Sequence, residues 1–257
     1  MRRTHPLHIV SGLLLCLCLL AATARADDGG VALAVKPGDI VIGTAYTGTT
    51  LHFSGEAPRG SAIVARFTGA SGDLALRQKG KAFGLLWMNM GTVHLHDVPS
   101  VYLVASSRPL ADIGGTGLGL DAVRAGVQQE GGAAAQGPDG LDALDVPAEL
   151  VRLKQHDGLY REGVGGITVT DDGTFSAELA IPSRMSPGTY TVEVFALRDG
   201  QVAGSTSAPV RAELVGAPAW LAHMAFDRGL LYGVLATLVA ILAGLAVGLV
   251  FQSKGAH

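Results

Sequence analysis

Short stretches in which hydrophobic and polar residues alternate recur along residues 27–107, separated about every eight to twelve residues by Gly, Pro or Asp. In LHFSG, for example, Leu51 and Phe53 fall on one face of an extended chain and the residues between them fall on the other. This spacing is typical of short antiparallel strands that bury one face. The strands predicted on this basis are 40–44, 50–54, 62–68, 74–78, 83–89, 92–96 and 101–106.

The same alternation returns in residues 158–215 and is clearest in PGTYTVEVFALRDGQV. Alternate residues from Tyr190 onwards share one face, and Asp199-Gly200 supplies the positive φ angles that a two-residue hairpin turn needs. The entry to this strand resembles strand F of immunoglobulin-like sandwiches, in which a tyrosine hydroxyl bonds back to the backbone. We therefore predict a mainly β protein with an immunoglobulin-like sandwich at least in this part. The pattern leaves open whether 27–107 and 158–215 form one domain or two.

Residues 108–157 differ in composition from the β-rich segments on either side. The first two thirds of this segment are rich in Gly and Ala, so we interpret them as a flexible insertion that contributes no regular core. A short helix is then predicted, with Asp145 as its cap and with Leu150 and Leu153 three residues apart on one face. The helix is expected to stop at Gly158.

Residues 1–26 have the three parts of a secretory signal, and we expect cleavage after Ala26. The apolar stretch inside the signal has about fourteen residues, which is shorter than the roughly twenty that a membrane-spanning helix needs. Both cysteines of the sequence, Cys16 and Cys18, lie in this stretch. The mature chain is therefore predicted to contain no disulfide and no thiolate ligand or nucleophile.

Residues 230–251 form an uncharged, apolar run that is long enough to cross a bilayer as a helix. Because a cleaved signal places residues 27–229 outside the cytoplasm, this helix returns only the tail 252–257 to the cytoplasmic side. We therefore predict a single-pass protein of the bacterial inner membrane, with the bulk of the chain in the periplasm. Residues 216–229 are predicted to be an interfacial linker, with Trp220 near the lipid headgroups.

The charge balance of the exported part bears on its partners. Without Arg2, Arg3, Arg25 and Lys254, fifteen of the nineteen basic residues remain against twenty-two acidic ones, a net charge near −7. Nucleic acids and anionic lipids both demand a basic surface. The acidic balance therefore argues against either as a partner, and we predict no binding of nucleic acid.

Three histidines are the candidates for a metal site. In VHLHD, His94 and His96 fall on the same face of a predicted strand, about 6.5–7 Å apart along it, a spacing at which two imidazoles can share a zinc or copper ion. His52, on a strand expected to be a neighbour, would be the third ligand. The alternative interpretation is a solvated strand face that ends in a turn at Asp97, and on balance we predict no metal, no cofactor and no catalytic residue.

The apolar run carries small residues at every fourth position. These residues are Ala236, Ala240, Gly244 and Gly248, and the last two form a G-x-x-x-G pair. Small side chains on one helix face let two helix backbones approach closely, although Gly and Ala are also common in helices that face only lipid. We predict that this stripe binds a helix of an integral-membrane partner or of a second copy of the chain.

The chain resembles a family of transmembrane proteins without an assigned activity, found mainly in alphaproteobacteria. The resemblance is carried by GTAYTGTTLHFSGEAP, by the GLLWMN segment, by VPSVYLVASSRPL, by RLKQHDGLYREG, and by PGTYTVEVFALRDGQV through the closing helix. It implies a signal peptide, an exported domain and one C-terminal membrane span. It also implies a partner, because members are associated with sulfite-exporter-like permeases, but it supplies no catalytic residue.

Two classes of function fit these observations. The first is a membrane-anchored, non-catalytic envelope protein that acts as an accessory or ligand-binding subunit, which is the one we favour because no reactive constellation is present. The second is a metal-dependent envelope enzyme or metallochaperone that uses His52, His94 and His96. Metal analysis of the purified protein distinguishes them, because the second class requires stoichiometric zinc or copper that is lost when His94 and His96 are replaced.

Overall fold

The computed structural model describes residues 30–82, 85–131 and 145–252, and the predicted signal peptide and most of the predicted tail lie outside them. Within these ranges the chain forms strands, α helices and short 3-10 helices. The strands are β1 (Ala34–Lys36), β2 (Asp39–Ile42), β3 (Thr49–Glu56), β4 (Ala62–Gly69), β5 (Ser71–Ala82), β6 (Leu86–Pro99), β7 (Tyr102–Ser106), β8 (Gln128–Gly131), β9 (Tyr160–Val164), β10 (Ile167–Val169), β11 (Thr174–Ile181), β12 (Gly188–Arg198) and β13 (Gln201–Leu214). The α helices are α1 (Leu120–Gly126), α2 (Val146–His156), α3 (Ala217–Asp227) and α4 (Gly229–Gln252), and the 3-10 helices are Leu110–Ile113 and Thr116–Leu118.

The strands form three sheets, which we name by position. The front sheet has the order β1-β3-β11-β10, the middle sheet β2-β13-β12-β4-β7-β9 and the back sheet β5-β6-β8. Neighbouring strands are antiparallel except at the two edges of the middle sheet, where β2 runs parallel to β13 and β9 parallel to β7. The front and middle sheets each combine strands from 27–107 with strands from 158–215, so the two β-rich segments interleave in one structure.

The first hydrophobic core lies between the front and middle sheets. Phe53 of β3 and Phe175 of β11 face Phe67 of β4, and all three side chains are buried. Burial alternates along the front-sheet strands, so that only one face of β11 is covered. The mainly β fold class is confirmed, whereas the immunoglobulin-like arrangement stays a prediction.

The second core covers the opposite face of the middle sheet. Successive residues of β4 alternate between the two cores, because Ile63 belongs to the first and Val64 to the second. All of β7 is likewise buried on both faces, which explains the continuous apolar runs AIVA and YLVA. The middle sheet is therefore the centre of a three-layer structure.

The prediction that the Gly/Ala-rich segment contributes no core is wrong for residues 110–131, while residues 132–144 lie outside the described residues. Its sparse apolar side chains recur at helical spacing and point into the second core. They are Leu110, Ile113, Leu120, Val123 and Val127. A Gly/Ala-rich composition does not exclude a contribution to the core, because a few apolar residues at helical spacing are enough to anchor a short helix on a sheet.

Helix α2 begins and ends as predicted. The Asp145 carboxylate accepts a hydrogen bond of 3.0 Å from the Ala148 N–H, and this bond lowers the pKa of Asp145, with Arg124 adding to the effect. The chain leaves the helix through Gly158, whose φ is +73°. Leu150 is buried as expected, but Leu153 is 53% exposed, so the prediction that the two share the buried face is wrong. Val151 takes that place, because the face of α2 that meets the second core lies between Leu150 and Val151, and Leu153 falls on the far side of Leu150 from it.

The β12–β13 hairpin forms as predicted. Asp199 and Gly200 have φ angles of 52° and 77°, as a two-residue turn between twisted strands requires. The Tyr190 hydroxyl donates a 2.6 Å hydrogen bond to the Ser186 carbonyl, and the ring stacks on Phe67 with centroids 5.1 Å apart. The tyrosine contact expected from the sequence is therefore present.

Candidate interaction surfaces

The membrane-spanning candidate is helix α4. Residues Gly229–Leu249 have a mean hydropathy of 2.5, and within the described residues no other helix is long and apolar enough to cross a bilayer. All of their side chains are exposed. The Thr237 hydroxyl donates to the Gly233 carbonyl at 2.8 Å, so the polar group of this side chain is satisfied inside the helix. A bilayer is the environment that stabilises such a surface.

The small-residue stripe of α4 is open to a partner. Residues four apart share a helix face, so Ala236, Ala240, Gly244 and Gly248 follow one another down the helix. Apart from the neighbouring backbone of α4 itself, a Cβ atom added at Gly244 or Gly248 would meet no described atom within 4 Å. Another helix could therefore approach this face to backbone contact.

Helix α3 precedes the span and is separated from it by Arg228. Trp220 and Phe226 are exposed, and His223 pairs with Asp227 one turn later. Apolar side chains next to polar ones are what an interfacial helix presents to lipid headgroups. The interfacial position of Trp220 stays a prediction.

His52 lies on β3, in a groove of about 530 Å³ on the outer face of the front sheet. Its Nδ1 is 3.4 Å from Oε1 of Glu178 on the neighbouring strand β11, and both side chains are exposed. Lys36, Ser54 and Ser176 also line the groove. The groove therefore offers one ammonium group, one carboxylate and several hydroxyls to a polar ligand, on a rigid sheet.

His94 and His96 lie on β6 in the back sheet, with the buried Leu95 between them, so their shared face is confirmed. The prediction that His52 lies on a neighbouring strand is wrong, because the neighbours of β6 are β5 and β8. Among the residues that the structure describes, no group of three or more His, Cys, Asp or Glu side chains could hold a metal ion.

Sequence reasoning missed the acidic partners of His96. Its Nδ1 is 2.9 Å from Oδ1 of Asp73, and its Nε2 is 3.3 Å from Oε2 of Glu130. The hydrogen bond to Asp73, with the charge of Glu130 added, raises the pKa of His96. The imidazole therefore joins β5, β6 and β8 by ion pairs, and it could bind a metal only by giving up one of these partners.

The distal part of the β5–β6 hairpin was also missed. We call residues 77–82 and 85–92 the arm. Leu85, Leu86, Trp87 and Met88 are 85%, 69%, 67% and 51% exposed. The sequence prediction placed 83–89 and 92–96 in two half-buried strands, whereas both segments belong to the single strand β6 as far as they are described. Phe83 and Gly84 lie outside the described residues. The signal was present in LLWM, since four apolar residues in a row break the alternation of a half-buried strand.

Comparison with known proteins gives one family match. The family described as "Putative transmembrane protein (Alph_Pro_TM)" matches residues 30–253. No curated protein matches. A solved structure titled "Structural basis of T cell specificity and activation by the bacterial superantigen toxic shock syndrome toxin-1" is 9% identical over 72% of this chain and 100% of that chain, with a TM-score of 0.23. A TM-score this low carries no argument about fold or function.

Proposed function

The chain belongs to the Alph_Pro_TM family of transmembrane proteins, and we propose that it is a membrane-anchored, non-catalytic subunit that assists an integral-membrane partner. In this proposal α4 spans the bacterial inner membrane, the three β layers stand in the periplasm and the C-terminus lies in the cytoplasm. The β layers then act as the accessory or ligand-binding part. A sulfite-exporter-like permease is the first partner to test, because the family resemblance implies it.

The observation that carries this proposal is the open small-residue stripe of α4. Hydrophobicity alone anchors a helix, but it does not hold two helices together in lipid, because lipid tails are as apolar as leucine. Association depends instead on close packing, which small residues permit. The stripe runs over Ala236, Ala240, Gly244 and Gly248 without a bulky side chain.

The non-catalytic part of the proposal is supported by what the polar side chains already do. His96 holds three strands together through Asp73 and Glu130. The Tyr160 hydroxyl donates to the Pro99 carbonyl at 2.7 Å, and burial raises the pKa of Tyr160. These groups stabilise strand packing, and the polar groove around His52 on the front sheet is the surface proposed for a ligand.

The test is a pair of isoleucine substitutions in the full-length chain. Gly244→Ile fills the stripe with a branched side chain, whereas Leu238→Ile leaves both volume and hydropathy unchanged on another face. Both variants should insert equally well, because α4 remains apolar in each. We expect Gly244→Ile to reduce co-purification with a co-expressed permease, or crosslinking between copies, by roughly threefold to thirtyfold.

Leu238→Ile should reduce neither signal. If the two variants retain both interactions equally, the small residues of the stripe play no part in helix association. Helix α4 would then serve only as a membrane anchor. Comparing the two signals also identifies the partner, since a self-associating helix loses its copy-to-copy crosslink and a permease-binding helix loses co-purification.

A further inference from the structure

The groove around His52 has a floor of small side chains on the outer face of the front sheet. The strand registers place one residue of each strand in a row across the sheet, and these residues are Ala34, Ser54, Ser176 and Thr168. All four are exposed and line the groove. Three strand spacings give this floor a length of roughly 14 Å, and three of its four side chains carry a hydroxyl.

A second row, two residues along the same strands, forms a charged wall beside this floor. Lys36 of β1 lies opposite His52 of β3, and His52 lies opposite Glu178 of β11. The Glu178 N–H donates to the Gly166 carbonyl at 2.8 Å, and Gly166 has no side chain, so the wall ends at Glu178. A positive and a negative group therefore stand at the two ends of the wall, with their backbones two strand spacings or roughly 10 Å apart.

The polar groups of the groove are available to a ligand. In the part of the chain that the structure describes, Lys36 makes no ion pair, and the hydroxyls of Ser54 and Ser176 make no hydrogen bond. Glu178 pairs with His52 at 3.4 Å, but both side chains are more than half exposed. Exposed pairs of this kind contribute little, so a ligand can take the place of His52 at small cost.

The charges of the wall fit a ligand that carries both signs. A simple anion would be attracted by Lys36 but repelled by Glu178, and a simple cation would meet the reverse. A zwitterion can place each of its charged ends against the opposite charge of the wall. The hydroxyls of the floor can then donate to or accept from polar groups in the middle of the ligand.

We infer that the groove binds a short peptide of about three residues through its free amino and carboxyl ends. An extended chain spans about 3.3–3.6 Å per residue, so three residues cover the roughly 10 Å between the two ends of the wall. The ammonium group lies at Glu178, the carboxylate lies at Lys36, and the peptide groups lie over Ser54 and Ser176. The inference rests on the ligand-binding role in the proposed function and names the ligand.

Saturation-transfer difference NMR tests the inference, because it detects weak binding of a small molecule to the full-length chain in deuterated detergent. Trialanine is the probe, and two exposed ion pairs should give it a dissociation constant on the order of 1 mM. Trialanine with an acetylated amino end and an amidated carboxyl end lacks both charges. Alanine has both charges on one carbon atom and cannot span the wall. Each of these two should give a signal about threefold lower or less.

Two variants remove one charge each from the wall with little change in side-chain size. Lys36→Met and Glu178→Gln should each raise the dissociation constant of trialanine by about twofold to fivefold. Glu213→Gln is the matched control, because it removes the same charge from an exposed position of β13 outside the groove, and it should leave binding unchanged. All three side chains are exposed, and resistance to a short protease pulse confirms that each variant remains folded.

The inference is overturned if trialanine receives no saturation, or if alanine or the capped peptide gives a signal equal to that of trialanine. It is also overturned if Lys36→Met and Glu178→Gln both bind trialanine as tightly as the parent does. The assay uses the chain without a partner, so a negative result here leaves the association of α4 untouched. Equal co-purification of the two α4 variants would likewise leave binding in the groove untouched.

Discussion

Two leucines of α2 give the sharpest test of the second core, because the same substitution at each has a very different expected cost. Leu150 is 2% exposed and Leu153 is 53% exposed. Replacing Leu150 with Ala removes three buried carbon groups, worth about 0.8 kcal/mol each. With the cavity left behind, we expect a loss of about 3 to 4 kcal/mol in the free energy of unfolding. Leu153→Ala should cost no more than about 0.5 kcal/mol, as is usual for surface positions.

Pulse proteolysis of the full-length chain in membranes measures this difference. The urea concentration at which half of the β body becomes cleavable is the midpoint that reports its stability. The free energy of unfolding falls by about 2 to 3 kcal/mol per molar urea, so the loss expected for Leu150→Ala lowers this midpoint by about 1 to 2 M. The midpoint for Leu153→Ala should stay within about 0.3 M of the parent. Equal shifts, or a larger shift at Leu153, would refute the packing of α2 on the middle sheet.

Two smaller perturbations test single contacts. Tyr190→Phe removes the hydroxyl that bonds to the Ser186 carbonyl, so stability should fall by about 1 kcal/mol in the same urea assay, and an unchanged midpoint would contradict a role for that bond. His96→Gln should lower the urea midpoint more at pH 5.5 than at pH 8.5. The pKa of His96 is raised in the folded state by Asp73 and Glu130, so its stabilising effect is complete below the unfolded pKa of about 6.5 and is lost as pH rises through the folded pKa. A loss that is equal at both pH values would show that the ion pairs contribute nothing.

The sequence predicted those features that depend on residues close together in the chain. The Asp199-Gly200 turn, the Asp145 cap and the Tyr190 contact each need only a few neighbouring residues, and all three form as expected. The apolar helix α4 was equally accessible, because length and composition alone decide it.

Features that depend on distant pairing could not be predicted in the same way. His52 was expected on a strand next to that of His94, but β3 pairs with β1 and β11, and β11 lies more than a hundred residues later. The buried role of Leu120 depends on the two-sided burial of β4 and β7, which the spacing of the few apolar residues in the Gly/Ala-rich segment does not show by itself. The exposure of Trp87 depends on where the three-layer body ends and the arm begins.

The topology of the chain is the central claim, and single cysteines labelled with a membrane-impermeant maleimide test it most directly. Val202→Cys, at the exposed β12–β13 hairpin, should be labelled in intact spheroplasts, and Ala256→Cys, in the tail, should be labelled only after permeabilisation. The parent chain, expected to lose Cys16 and Cys18 with its signal, should not be labelled even when denatured. Labelling of Ala256→Cys in intact spheroplasts together with protection of Val202→Cys would contradict an exported β body anchored by a single span.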